Sequence, residues 1–290
     1  MSILLDRNTR VLVQGITGRA GRTQTRWMLD YGTNIVAGVT PGKGGETVEG
    51  IPVYNTVQEA VEKKGAEASV FFVPPPGVKE SVFETVDAGI KLIVVVTEHV
   101  PVHDVMDIRE YVHGKPVEII GPTSPGIITP GEAKVGIMPA NMFTPGRIGV
   151  ISRSGTLSYE VSINLAKGGF GQSTVVGIGA DPVVFTNMSE ILSLFEKDPG
   201  TDLVVVVGEV GGIQEERAAE YIDRWMTKPV VAYIAGIHSP AEKRMGHAGA
   251  IIQGDGKGTP QSKTAALSEV GVDVAEYPAQ VVDLVRKHLS

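Results

Sequence analysis

The chain has 290 residues, of which 36 are glycine, 18 proline and none cysteine, and 42% are hydrophobic. That length supports a sizeable core in one large or two ordinary domains, and the missing thiols exclude disulfides and thiolate metal sites. A formal charge of -7 argues against a general nucleic-acid binder, while a local basic patch for a phosphorylated small ligand stays open.

The opening "MSILLDRNTRVLVQG" has no basic segment leading into a long apolar run. No later stretch approaches the roughly 18 uninterrupted apolar residues of a membrane span, so the chain reads as cytoplasmic and free of membrane. Short β-branched runs then recur in order: "RVLVQG", "NIVAGV", "ASVFFVPP", "KLIVVVT" and "VEIIGP". A second series follows: "RIGVISRSG", "STVVGIG", "LVVVVGEVGG", "KPVVAYIAG" and "DVAEY". Continuous apolar strands separated by helix-length segments predict an α/β protein whose parallel sheets are covered on both faces. Between the two series, residues 121–146 are rich in Pro and Gly without helical periodicity, which predicts a domain junction near residue 122.

After the first strand, "GITGRAGRTQTRWMLDYG" spaces Gly15, Gly18 and Gly21 three apart before a helical stretch. Glycines at a strand-to-helix turn let backbone amides approach an anion at the helix N-terminus, although such glycines also serve plain tight turns. The spacing departs from the dinucleotide pattern G-x-G-x-x-G. The second strand ends in "AGVTPGKGG", where Lys43 stands in place of the acidic residue that holds the ribose of NAD. With Arg19 and Arg22 near the first loop, this favours a ligand with an extra phosphate, such as coenzyme A or NADP. Solvated surface arginines are the plainer reading. Val73, Pro74, Thr97 and Glu98 fall at further strand ends on the same crevice edge. His99 and His103 lie four apart, but Pro101 between them speaks against a metal pair on one helical face, and no metal is expected.

In the second series, "GVISRSGTLSYE" repeats the strand-loop-helix logic with Ser154, Gly155 and Thr156 at the turn, a second candidate phosphate cradle. Glu209 ends the apolar run "VVVVGEVGG". His247 sits among glycines and alanine in "KRMGHAGAII", with room for a large reactant. A neutral imidazole is a good nucleophile toward phosphorus when a carboxylate orients its other nitrogen, which makes Glu209 the candidate orienter. A loop histidine bonded only to its neighbours is the plainer reading.

Over essentially its whole length the sequence resembles the succinyl-CoA synthetase (succinate-CoA ligase) alpha-subunit family. The resemblance rests on "VQGITG", "GVTPGKGG", "GP..PGIITPGE", "SRSGTLSYE", "GFGQSTVVGIG.DP", "GEVGG", "KPVV.YIAG" and "KRMGHAGAII", in the family's order. It implies a Rossmann-like CoA-binding domain at 1–122 and a flavodoxin-like ligase domain at 123–290. It implies a coenzyme A site at Thr17, Gly18, Arg19 and Ala20, at Lys43, and at Val96, Thr97 and Glu98. His247 takes the position of the phosphorylated histidine, Glu209 that of its carboxylate partner, and Tyr159 a position associated with the organic acid. Ser154, Gly155 and Thr156 take the helix start that receives the phosphohistidine. The implied reaction is a relay from succinyl-CoA and phosphate through succinyl phosphate and phosphohistidine to a nucleoside diphosphate, a tricarboxylic acid cycle step. ATP or GTP with Mg2+ is expected on a beta subunit, in an alpha-beta or doubled alpha-beta assembly.

The chain departs from the family at Thr123-Ser124, which replace a common Asn-Cys, and in the "GRTQT" continuation of the first loop. It departs again in "GADPVVFTN", where Ala180, Val184 and Phe185 could reshape the acid pocket or a partner contact, and near Asp255, where one residue is added. These leave a ligase for malate or citrate as the near alternative. An NAD(P)-dependent oxidoreductase and a non-catalytic CoA-binding module are the alternatives of other classes.

Overall fold

The structure is a computed structural model, and it describes residues 2–237, 239, 246–252 and 257–289. The chain begins with β1 (Val11–Gln14), α1 (Arg19–Tyr31), β2 (Ile35–Val39), β3 (Thr47–Val48), β4 (Ile51–Tyr54) and α2 (Val57–Lys64). There follow β5 (Ala68–Phe71), α3 (Val78–Asp87), β6 (Leu92–Val95), α4 (Val102–Val112) and β7 (Glu118–Ile120). These strands form one sheet in the order β3-β4-β2-β1-β5-β6-β7, parallel throughout except for the β3-β4 pair.

The second sheet takes β8 (Gly126–Thr129), β9 (Ala133–Gly136), β10 (Pro145–Ser152), β11 (Gln172–Gly177), β12 (Leu203–Glu209), β13 (Val230–Ala235) and β14 (Asp273–Ala275). Its helices are α5 (Gly155–Lys167), α6 (Met188–Lys197), α7 (Gln214–Trp225), α8 (Pro260–Glu269) and α9 (Val281–Leu289). The order β14-β13-β12-β10-β11-β8-β9 is parallel from β14 to β11, with β8 and β9 antiparallel at the edge. The central strands β10, β11 and β12 are buried along all or most of their length, which is why they read as unbroken apolar runs rather than alternating ones.

The Pro- and Gly-rich stretch expected to be a junction is in part a hairpin of the second sheet. Its glycines are there for backbone contact: a Cβ on Gly126 would lie 2.0 Å from the Val135 carbonyl oxygen, and one on Gly136 2.6 Å from that of Pro125. Composition alone reads such residues as loop, because the feature that admits them is the neighbouring strand. The cores of the two sheets are continuous. One apolar cluster holds Val13 and Val70 of the first together with Ile127, Val176 and Val206 of the second.

Each sheet has a point where the strand order reverses. In the first the chain runs from β1 outward to β2 and then returns to β5 on the other side; in the second it leaves β10 for β11 and returns at β12. Crevices for ligands open at the carboxyl ends of strands at such points. Both groups of residues singled out in the sequence lie there.

Candidate active site

At the first crevice the three glycines have separate reasons. Gly15 has φ +71°, and a Cβ on it would sit 2.5 Å from the Phe72 carbonyl oxygen; a Cβ on Gly21 would sit 2.2 Å from the Gly15 carbonyl oxygen. These two are packing glycines, which let α1 approach β1 and β5. Gly18 is the N-cap of α1 and supplies no side-chain cap, and the first turn of the helix holds no acid. The first amides of a helix have no acceptor of their own, so α1 presents donors and positive partial charge beside Thr17, Arg19 and Ala20.

Thr17 is tied to the end of β2 by a hydrogen bond between its hydroxyl and that of Thr40, at 3.1 Å, and Arg22 Nε donates to the Thr17 carbonyl. Lys43 lies in the next loop, about half exposed and 3.2 Å from Glu46. The loop is shaped by Asn55, whose side-chain oxygen accepts from the amides of Gly42 and Gly44. Val96, Thr97 and Glu98 follow β6, and the Thr97 hydroxyl donates to the Val73 carbonyl at 2.7 Å, joining the ends of β5 and β6. Thr17, Lys43, Val73, Thr97 and Glu98 thus share one edge. His103 lies inside α4 and His99 before it, and among the described residues no group of three His, Cys, Asp or Glu could hold a metal.

At the second crevice Ser152 of β10 pairs with Val207 of β12, so two residues further on Ser154 and Glu209 emerge as neighbours. Ser154 caps α5 by accepting from the Leu157 amide, which leaves the amides of Gly155 and Thr156 at the helix start. Tyr159 lies one turn along α5. Its hydroxyl is close to Gly155, where a Cβ would come within 3.4 Å, and its ring stands edge-on to Phe143. Burial pushes its phenol above the ordinary value.

His247 Nδ1 is 2.9 Å from Glu209 Oε2. A carboxylate at that distance accepts, so Nδ1 carries the proton and Nε2 is left with its lone pair. The hydrogen bond to Glu209 raises the imidazole above its ordinary value, against an opposing effect of burial. Glu209 is nearly buried, with Arg153 Nη2 3.7 Å from its other oxygen. The glycines beside His247 are in part packing glycines. The Gly249 amide donates to the Ala180 carbonyl at 2.9 Å, and a Cβ on Gly249 would fall 2.6 Å from that same oxygen.

The departures noted in the sequence have definite places. Thr123 accepts the link from the first crevice, its amide donating to the Thr97 carbonyl, and its hydroxyl donates to Asp181 Oδ1 at 3.0 Å. Ser124 is buried, donating to the Gly177 carbonyl. Burial pushes the Asp181 carboxyl up, and it faces His99, Glu98 and His247. Phe185 belongs to the apolar cluster of the first half, with Val105 and Ile108 of α4 and Ile119 of β7, while its amide donates to the Gly121 carbonyl. It is an anchor between the two halves. Asp255, and Lys243 to Met245 of the histidine motif, lie outside the described residues.

Arg153, Asp181, Glu215 and Lys263 escaped the sequence reading. Arg153 stood inside a quoted motif, but nothing local distinguishes it from a surface arginine. Glu215 reads as an ordinary acid in the first turn of a helix.

Residues 6–99 match the family described as CoA binding domain, and residues 151–272 match the family described as CoA-ligase. The chain is 52% identical, over its full length and 95% of the relative's, to the succinate--CoA ligase [ADP-forming] subunit alpha of Aquifex aeolicus. It is 55% identical to the protein of that name from Methanothermobacter thermautotrophicus, over 99% of this chain and 97% of the relative. Among solved structures, the ATP citrate lyase of Methanosaeta concilii in complex with (3S)-citryl-CoA superposes with a TM-score of 0.89 at 26% identity. That match covers 98% of this chain and 50% of the lyase, so the chain spans about half the length of that protein. An acetyl-coenzyme A synthetase of Ca. Korarchaeum cryptofilum, at 19% identity, TM-score 0.72, and 95% and 59% coverage, shares the fold. Full-length identity above one half, with both halves matched in order, shows that the chain belongs to the succinate-CoA ligase alpha-subunit family.

Proposed function

We propose that the chain is the coenzyme A-binding and phosphoryl-carrying half of a succinate-CoA ligase, and that His247 is the carrier. The observation that carries this reading is the 2.9 Å bond between His247 Nδ1 and Glu209, at a strand switch point beside an open helix start. Coenzyme A is held at Thr17, Gly18, Arg19 and Ala20, with Lys43 for a ribose phosphate and Val96, Thr97 and Glu98 at the crevice floor. The domains divide at 122/123.

Phosphate attacks the thioester carbonyl of succinyl-CoA, the C–S bond breaks, and succinyl phosphate and the thiol of coenzyme A result. His247 Nε2 then attacks phosphorus and the succinate carboxylate leaves. Glu209 holds the Nδ1 proton and stabilises the positive charge that develops on the ring. The Gly155 and Thr156 amides at the α5 start receive the phosphoryl oxygens, and Tyr159 stands beside them toward the acid. In the last step ADP takes the phosphoryl group, and every step is reversible. The relatives are named ADP-forming succinate-CoA ligases at more than 50% identity, against 26% for a citrate lyase, which favours succinate over citrate. The nucleotide with its Mg2+ binds a beta subunit, which completes the enzyme in the cytoplasm.

The test is intact-mass analysis of the chain with its co-expressed partner after ATP and Mg2+, followed by acid treatment and peptide mapping. An acid-labile phosphoryl group on His247, lost in His247→Gln, is the expected result. Phosphate elsewhere, or none in a complex that binds ATP, overturns the carrier assignment.

A further inference from the structure

Four charged side chains from different parts of the second sheet's framework meet at the Glu209–His247 pair, three of them around Glu209 on the side away from the histidine. They are Arg153 after β10, Glu209 at the end of β12, Glu215 in the first turn of α7, and Lys263 in α8. Glu215 and Lys263 are fully buried and Arg153 is 2% exposed. A buried ion network of this kind is a poor source of stability, since well-packed apolar residues often do as well. Its geometry points instead toward the reacting groups.

Glu215 Oε1 accepts from the Glu209 amide at 3.1 Å and from Arg153 Nη1 at 3.1 Å, while its other oxygen takes Lys263 Nζ. Burial works to raise the Glu215 carboxyl, but Arg153 and Lys263 outweigh it and hold it below the usual carboxylate range. Arg153 Nη1 and Lys263 Nζ both donate to the Gly211 carbonyl, at 2.6 and 2.8 Å. That turn is the seat of the histidine segment. The Gly211 amide donates to the Gly258 carbonyl at 2.8 Å, and a Cβ on Gly211 would lie 2.1 Å from the Gly249 carbonyl oxygen. The chain that follows His247 therefore rests on this turn twice, at Gly249 and at Gly258, and Arg153 and Lys263, both held by Glu215, fix the turn from below.

We infer that Glu215 and Lys263 are positioning residues for the phosphoryl carrier: they lock the Gly211 turn and hold Arg153 against Glu209, which fixes the side chain that accepts from His247. The inference rests on the reading of His247 as the carrier. Among the described residues, the charges around His247 are Glu209 and Arg153 at the strand ends, Glu98 after β6 and Asp181 after β11. Behind them lie Glu215 and Glu216 of α7 and Lys263 of α8.

The test is an NMR titration of the full chain labelled with 15N-histidine, in which His247 is assigned by its loss in His247→Gln. Glu215→Gln leaves an excess cation below the site and is expected to lower the His247 midpoint by about half to one pH unit. Lys263→Met leaves an excess anion and is expected to raise it by about as much. A role confined to stability predicts no such opposed pair, so shifts of the same sign, or no shift in either variant, overturn the inference. The double variant restores the balance of charge and is expected to titrate within about 0.3 units of the unaltered chain. If neither single variant folds, a double variant displaced by more than that overturns it. In the enzyme assembled with its partner, both single variants are expected to slow phosphorylation about tenfold or more at an unchanged KM for ATP. Unaltered enzyme that never phosphorylates His247, alongside opposed NMR shifts, would overturn the carrier reading and leave the coupling standing.

Discussion

His247 and Glu209 are 38 positions apart in the chain and 2.9 Å apart in space. Each was visible in the sequence for a local reason, a histidine among small residues and an acid closing an apolar strand, and the topology makes them a pair. Because Glu209 raises the imidazole above its ordinary value, the neutral nucleophile is depleted at a higher pH than for a free histidine. Phosphorylation of His247 should therefore decline as pH falls through that raised value. Glu209→Gln should slow it by roughly 10²–10⁴-fold, as losing the orienting carboxylate does in other histidine relays, and should move the acid limb to lower pH. Rapid-quench measurement of the phosphoenzyme across pH checks both; a slower rate with an unmoved limb would count against the electrostatic part. Arg153, Glu215 and Lys263 were not legible at this scale, since their meaning lies in partners brought from other elements.

At the scale of elements, the first loop shows how one pattern hides two kinds of glycine. A Cβ on Gly15 or Gly21 would come within 2.5 Å of a backbone carbonyl, whereas on Gly18 the nearest, that of Gly15, is 3.2 Å away, and Gly18 offers α1 no side-chain cap. Replacing Gly18 with Asp should separate these roles. Its backbone already has extended N-cap dihedrals, but a Cβ on it would lie 3.2 Å from the Gly15 carbonyl oxygen, which offsets the gain from an Asp cap, so Gly18→Asp should change stability by less than about 1 kcal/mol. The same carboxylate should weaken coenzyme A binding about tenfold or more by occupying the amides and repelling phosphate. Calorimetry of folding and of binding reads the two effects on one protein. Affinity reduced by less than about twofold would remove the α1 start from the coenzyme A site. The spacing of glycines was readable in the sequence; which of them are filled by backbone was not, because that depends on Phe72 after β5 lying against Gly15 and on Gly15 lying against Gly21.

Across the whole molecule the two crevices are linked by a short chain of contacts: Thr97 to Thr123, Thr123 to Asp181, and Ala180 to Gly249 beside the histidine. Phe185 closes the arrangement from the far side by filling the first sheet's core with a side chain from the second half. Phe185→Ala should destabilise the protein by about 3–5 kcal/mol, which for a chain of this size lowers Tm by roughly 10 °C. Scanning calorimetry tests this, and a change below about 1 kcal/mol would mean that Phe185 anchors nothing. The sequence flagged "GADPVVFTN" as unusual and suggested the acid pocket or a partner as its business. The structure shows Phe185 buried in the apolar cluster of the first half, a placement made by residues far earlier in the chain such as Val105, Ile108 and Ile119.

The class, most of the strands and the family were legible in the sequence alone, and it also named the residues proposed to react. Those properties are written locally, in apolar runs long enough to be buried strands, in turn glycines, and in chemically distinctive side chains at strand ends. Only the tertiary structure decided that the Pro- and Gly-rich stretch closes the second sheet as a hairpin, that Phe185 is internal, and that a buried ion network underlies Glu209. Those outcomes depend on backbone approach and charge pairing between segments far apart in the chain, and such contacts leave no periodic or compositional mark on either segment.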